Sequence, residues 1–312
     1  MFLDSPLYRT PALDRALRCT ALLKVETLNP VRSFKGRGTE TVLSRIDAPA
    51  ASSGVVCASA GNLGQALAYS GARRRIPVTV YAARSANELK IERMRSFGAT
   101  VHLDGDDIER PRQLARDHAE AHGALLVEDS LDIATCEGAA TIALELLDSG
   151  VDLDVVLLAL GGGALASGVG FVLKELSAST QVVSVQPAGA PAMTLSWRQH
   201  RVVQTDRIET IADGVAGRFP IPEVLDDLLE VLDDAVLVDE AAITSAMRHL
   251  LEHAGLVVEP SAALGVAAML VEPERYLGRT VATVICGSNV AADRFRRWTQ
   301  PSAPDSATPD LA

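Results

Sequence analysis

Lysine is almost missing from this chain. Of 29 basic residues only Lys24, Lys35, Lys90 and Lys174 are lysines, so arginine carries nearly all of the positive charge. Cysteine is sparse too: Cys19, Cys57, Cys136 and Cys286 are far apart and no two form a CxxC pair. That spacing excludes a disulfide framework and a zinc ribbon, and it fits a reducing cytosol. Positive charge is in deficit overall, with 40 acidic side chains and a formal net charge of -11. Such a field repels phosphate backbones, so nucleic acid is not an expected partner. The first residues, MFLDSPLYRT, hold no apolar segment, and a secretion signal is not expected. One long uncharged run exists, Val155 to Leu173, but five glycines interrupt it and Asp152 and Asp154 precede it. It reads as a buried strand, a glycine turn and a packed helix, and a membrane span is not expected.

What is present is ordinary globular material: 48% hydrophobic and 22% charged residues over 312 positions. That length allows one or two domains. Short apolar runs alternate with helical stretches. Strands are expected at GVVCA (54–58), VTVYA (78–82), TVHLD (100–104), LLV (125–127), DVVLLAL (154–160), QVVSVQ (181–186) and VATVIC (281–286), with helices at 64–74, 88–97, 107–122, 135–147, 164–176, 240–253 and 260–270. Uninterrupted apolar strands between helices imply parallel sheets covered on both faces, and the class is α/β. Residues 187–220 read as a long irregular stretch of the kind that binds ligands. Residues 301–312, rich in Pro, Ser, Ala and Asp, are expected to be a disordered tail.

Three loops carry candidate chemistry. Gly161-Gly162-Gly163-Ala164-Leu165 follows an apolar strand and opens a helix. Consecutive glycines let amides converge on an anion at the positive end of a helix, which makes a phosphate cradle. A dinucleotide site fits the same spacing, but it needs an acidic residue after the next strand, where Gln186-Pro187 stands; a tight packing turn is the third reading. Ser59-Ala60-Gly61-Asn62-Leu63-Gly64-Gln65 leaves amides and a carboxamide free for a carboxylate, although an ordinary helix-capping turn explains it too. Lys35, in SFKGRG (33–38), stands out against the scarcity of lysine. A lysine can lose its proton and form an imine with an aldehyde, which arginine cannot, while a plain surface lysine is the simpler reading. Taken together, an aldehyde bound by lysine and a phosphate arm held by glycines specify pyridoxal phosphate.

With these residues in place, the chain resembles the fold-type II pyridoxal-phosphate enzymes, and within them the serine/threonine dehydratase and serine racemase branch. The resemblance spans Pro6 to Phe295 and is carried by ETLNPVRSFKGRG (26–38), SAGNLGQ (59–65), EGAATIALE (137–145), GGGALASG (161–168), ETIADGV (209–215), EPSAALG (259–265) and ICGSNV (285–290). It implies a two-domain α/β fold with a mostly parallel sheet in each domain. Residues 1–41 and 136–300 would form the large cofactor-binding domain, and 42–135 the small domain. Lys35 would be the lysine that binds the cofactor, with Phe34 against its ring and Asn62 on its phenolic oxygen. Gly161 through Leu165 would hold the phosphate, and Cys286 would face the pyridine nitrogen as a neutral partner, which favours elimination. Glu259 approaches the cofactor in the family, although a helix start accounts for Glu259-Pro260-Ser261 almost as well. Ser59, Ala60, Gly61, Asn62 and Leu63 would hold the substrate carboxylate, and Asp213 would border the substrate.

The activity so implied is elimination of the β-hydroxyl of L-threonine or L-serine to give a 2-oxo acid and ammonia, in a cytoplasmic homodimer. The alternatives are a β-replacement synthase of the cysteine synthase type, an amino-acid racemase, and a catalytically silent regulatory subunit. The chain departs from the family in four places. Ala164 replaces a fourth glycine, and its methyl group would narrow the cradle; Leu63 replaces a common histidine and makes the pocket more apolar. Ala60 stands where racemases place a serine, and Gln186 and Ala192 stand where that branch has metal-binding carboxylates, so no metal is expected. His118 and His122 share a helix face, but no third ligand accompanies them.

Overall fold

The apolar runs do become parallel strands, and their order decides where the loops go. The computed structural model describes residues 2–300; the expected disordered tail lies outside the described residues. Its strands are β1 (Leu7–Tyr8), β2 (Thr20–Val25), β3 (Val55–Ala58), β4 (Val78–Ala82), β5 (Thr100–Leu103), β6 (Leu125–Leu126), β7 (Val155–Ala159), β8 (Gln181–Pro187), β9 (Asp234–Val238) and β10 (Thr280–Ile285). They form a six-stranded sheet in the order β1-β2-β10-β7-β8-β9 and a four-stranded sheet in the order β5-β4-β3-β6. Every pairing is parallel except that of β1 with β2.

The last strand of the chain, β10, inserts between β2 and β7. Val281 pairs with Ala21 on one side and Val155 on the other. The three strands therefore end at one edge, and the loops that follow them carry Lys35, Gly161 and Cys286. Likewise β3 lies beside β6, so the Ser59 loop and residues 127–130 leave the smaller sheet at a common edge. Ligands gather at such carboxyl edges of open parallel sheets. Each sheet has its own apolar core, one around Leu157, Val183 and Ile285, the other around Cys57, Val80 and Met94.

The uncharged run follows the sequence expectation, while two other stretches differ from it. The uncharged run 155–173 is strand β7, a glycine turn and the helix Ala164–Leu176, and among the described residues no helix is long and apolar enough to cross a membrane. The stretch 187–220 is not wholly irregular, since it contains the helix Ala192–Gln199 and a short turn at Asp213–Val215. The expected helix 260–270 begins as a 3-10 turn, Pro260–Ala263, before the α-helix Leu264–Val271.

A buried ionic network anchors the helix Lys35–Ser44. Arg37 has no exposed side chain; its guanidinium donates to both oxygens of Glu26 at 2.8 Å and to Glu145 at 2.6 and 2.8 Å. Lys24 of β2 joins at 2.6 Å from Glu145. Glu145 lies on the helix Ile133–Asp148, which Gly138 brings close: a Cβ there would stand 2.5 Å from the Arg37 backbone. Burial pushes the Glu145 carboxyl up, but hydrogen bonds from Arg37, Lys24 and the Asp4 amide outweigh it and hold it down at about 2.

Because this carboxyl is depressed in the folded state, its stabilisation is complete above the ordinary value near 4.5 and is lost as the pH falls toward about 2. Glu145→Gln should lower the melting temperature by several degrees at pH 7, and the gap to wild type should narrow between those two pH values. A gap independent of pH would contradict the network's role.

Candidate active site

Lys35 is the first residue of its helix and is tied to the end of β10. The Phe34 amide donates to the Cys286 carbonyl at 3.1 Å, and Ser33 forms an isolated bridge with Gly287. This fixes the Lys35 and Cys286 backbones side by side. The Lys35 Nζ lies 4.7 Å from the centre of the Phe34 ring. It donates to Asp129 at 2.5 and 2.7 Å, and the two side chains remain 17% and 29% exposed. Lys35 thus opens onto the cleft between the sheets. The Cys286 thiol is buried; burial and the nearby Glu259 charge push it far up, so it stays a neutral thiol.

The Ser59 loop does two jobs. The Ser59 hydroxyl accepts from the amides of Gly61 and Gly64, at 3.2 and 3.0 Å, and so caps the helix Asn62–Arg74. Asn62 donates through Nδ2 to Glu259 at 2.7 Å and accepts through Oδ1 from Asn289 at 2.9 Å. Glu259 makes no capping bond at its own turn; its other oxygen takes the Asn289 amide at 2.9 Å. Burial raises the Glu259 carboxyl, and Asp213 raises it further against the pull of Lys90. Leu63, expected at the pocket, points instead into the core of the smaller sheet. Ala60 and Gly61 lie at the loop's partly exposed tip.

Lys90, on the helix Glu88–Ser96, is 1% exposed and pairs with Asp213 at 2.8 Å. Burial alone would lower its ammonium, but Glu259 and Asp213 outweigh that and raise it. A Cβ on Gly61 would stand 3.9 Å from this ammonium, so a fixed cation adjoins the Ser59 loop. Sequence reasoning assigned no role to Lys90, Asn289, Asp129 or Ser130. The scarcity of lysine flagged Lys90; nothing local flagged Asp129 or Ser130, whose partners are distant in the chain.

The glycine loop sits opposite. Gly163 has φ +114°, and Ala164 opens the helix with its amide donating to the Ser130 hydroxyl at 3.0 Å. Among the described residues the amides of Gly162, Gly163 and Leu165 make no hydrogen bond. The buried Ser167 hydroxyl, near Gly163, has no partner either. Gln186, at the position of the racemase branch's metal ligand, is instead engaged with the Leu160 carbonyl and the Thr194 amide.

The model of a family described as pyridoxal-phosphate dependent enzyme matches residues 2–287. The chain belongs to the pyridoxal-phosphate dependent enzymes. It is 31% identical over 303 residues to a biosynthetic L-threonine dehydratase of Halalkalibacterium halodurans, covering 96% of this chain and 73% of the relative. It is 34% identical over 275 residues to an L-threonine ammonia-lyase of Thermotoga maritima, covering 88% and 68%. Its fold matches the processed form of threonine deaminase isoform 2 from Solanum lycopersicum with a TM-score of 0.89 at 27% identity, covering 95% and 87% of the two chains.

The cleft of this pyridoxal-phosphate enzyme fits its cofactor. Unpaired amides at a helix start, with an unpartnered hydroxyl beside them, suit a phosphate. A lysine amine and a neutral thiol from adjacent strand ends suit the aldehyde and the ring nitrogen. The cradle depends on Gly163, where a Cβ would meet Val224 at 2.2 Å and the positive φ resists any side chain. Gly163→Ala should weaken pyridoxal phosphate binding by on the order of tenfold or more, followed by titration of the cofactor's absorbance, since about 1.4 kcal/mol of strain suffices for that change. Unaltered affinity would show that the loop does not hold the phosphate.

Proposed function

We propose that this enzyme is an amino-acid ammonia-lyase that eliminates the β-hydroxyl of L-threonine or L-serine, releasing a 2-oxo acid and ammonia. What carries this reading is the buried, neutral Cys286 thiol held beside Lys35 by the Phe34–Cys286 backbone bond. A neutral partner leaves the ring nitrogen unprotonated, which suits rapid loss of a β-substituent over a long-lived carbanion. Relatives named as threonine dehydratase and threonine ammonia-lyase support the same reaction.

When bound, pyridoxal phosphate supplies an aldehyde that captures the substrate amine and a conjugated ring that accepts electron density from Cα. The protein supplies the rest. The Gly162, Gly163 and Leu165 amides of the Gly161–Leu165 loop would hold the phosphate, and Phe34 would lie beside the ring. The Ser59–Asn62 loop, with the Lys90 cation behind it, holds the substrate carboxylate and so orients Cα–H toward Lys35. The Lys35 amine takes the α-proton as general base. Residues 42–135 form the smaller domain, and its approach to the larger one excludes water. The released enamine hydrolyses to the 2-oxo acid and ammonia.

Ala60 offers no acid or base at the position where racemases place a serine, which supports elimination over racemisation. A homodimer in the cytoplasm completes the proposal. Leu144, Phe171 and Leu176, exposed on adjoining helices, are the apolar surface that a second copy would cover, and four unpaired buried cysteines suit a reducing compartment.

Wild-type protein supplied with pyridoxal phosphate should release 2-oxo acid and ammonia in equal amounts from L-threonine or L-serine, and far less from the D-forms. Turnover that requires an added thiol or amine nucleophile would make the enzyme a β-replacement synthase instead.

A further inference from the structure

Elimination of a hydroxyl needs two proton transfers: one away from Cα and one onto the departing oxygen. Lys35 accounts for the first. The second needs an acid that faces the cleft beside Lys35, and the structure holds a carboxyl so placed. Asp129 follows β6 and enters the cleft from the smaller sheet, with both oxygens on Lys35 Nζ at 2.5 and 2.7 Å. Among the described residues its carboxylate makes no other hydrogen bond, and it is 29% exposed, open to a small molecule in the cleft. Its neighbour Ser130 takes the Ala164 amide at 3.0 Å, which pins this segment to the phosphate loop. The nearby thiols do not compete as acids: burial, with Asp129's charge adding, pushes Cys57 up to about 12, and burial pushes Cys136 up to about 11.

We propose that Asp129 is a second catalytic acid–base group, which takes the α-proton on from Lys35 and delivers it to the departing β-oxygen. The step balances without a co-reactant. The Cα–H bond breaks and its electron pair becomes the Cα=Cβ π bond. The Cβ–O pair leaves with oxygen, and the proton that Lys35 removed passes through Asp129 to complete a water molecule. The proposal rests on the ammonia-lyase reading.

The test compares two leaving groups in the Asp129→Asn holoenzyme. Hydroxide leaves L-serine only if protonated, whereas chloride leaves β-chloro-L-alanine without a proton, and both substrates yield pyruvate and ammonia. The kcat for L-serine should fall on the order of 100-fold or more, the range of a lost general acid, while that for β-chloro-L-alanine falls far less. Asp129→Glu, which keeps a carboxyl, should recover much of the L-serine rate. Cofactor absorbance titrations and thermal unfolding establish that each variant binds pyridoxal phosphate and is folded. Equal losses on both substrates, or no loss on L-serine, would overturn the proposal. Failure of Asp129→Asn to bind the cofactor would overturn it too, by making Asp129 a structural support. Wild-type turnover of L-serine or L-threonine tests the ammonia-lyase reading separately: wild type that accepts only β-chloro-L-alanine refutes that reading.

Discussion

The burial of Arg37 constrains the whole neighbourhood of Lys35. A guanidinium without solvent must have its donors filled, because removing one partner of a buried ion pair costs about 3–5 kcal/mol. Glu26, at the end of β2, and Glu145, on the helix Ile133–Asp148, fill them, with Thr141 taking another bond at 2.8 Å. Arg37 is two residues past Lys35 on the same helix. The network therefore sets the position of that helix against the sheet and against the helix leading to β7. Lys35 inherits a fixed backbone while its side chain extends into the cleft to Asp129. Such a division suits catalysis, which needs a positioned but reactive amine.

Across the cleft, charge is arranged in two opposed pairs. Lys35 of the larger sheet's side meets Asp129 from the smaller, and Lys90 from the smaller side meets Asp213 from the larger. Asn62, Glu259 and Asn289 form a third crossing, extended by the Arg93 guanidinium on Asn289. These polar contacts join the two sheets' edges, beside a small apolar cluster of Phe2, Val31 and Ala66. Polar contacts exchange for substrate and cofactor groups at lower cost than a packed core does, so the same groups that close the cleft can serve the ligands.

Most of the fold was legible because its strands are continuous and apolar. β7, β8 and β10 are buried along nearly their whole length, and the glycine loop after β7 declared itself by composition. β2 was not legible as a strand, because Lys24 breaks the apolar run; its buried pairing with Glu145 and its bond to the Ser5 carbonyl explain a lysine there. The helix Ala192–Gln199 was hidden among Ser, Thr and Trp, with no side-chain cap to announce it. In the site, Lys35, Asn62, Glu259 and Cys286 were read from motifs; the strand order sets Lys35 beside Cys286, and a hydrogen bond across the cleft joins Asn62 to Glu259. Leu63 follows Asn62 but turns inward, since successive residues of a helix face different ways. Asp129 was invisible because its meaning lies in a partner 94 residues away.

Lys35, open to the cleft, is the proposed cofactor lysine, and the buried Lys90 is not. Borohydride reduction of the protein equilibrated with pyridoxal phosphate, followed by peptide mapping by mass spectrometry, tests it directly. A single pyridoxyl group on the peptide containing Lys35 is the predicted result. A label on Lys90, or none on Lys35, would contradict the account.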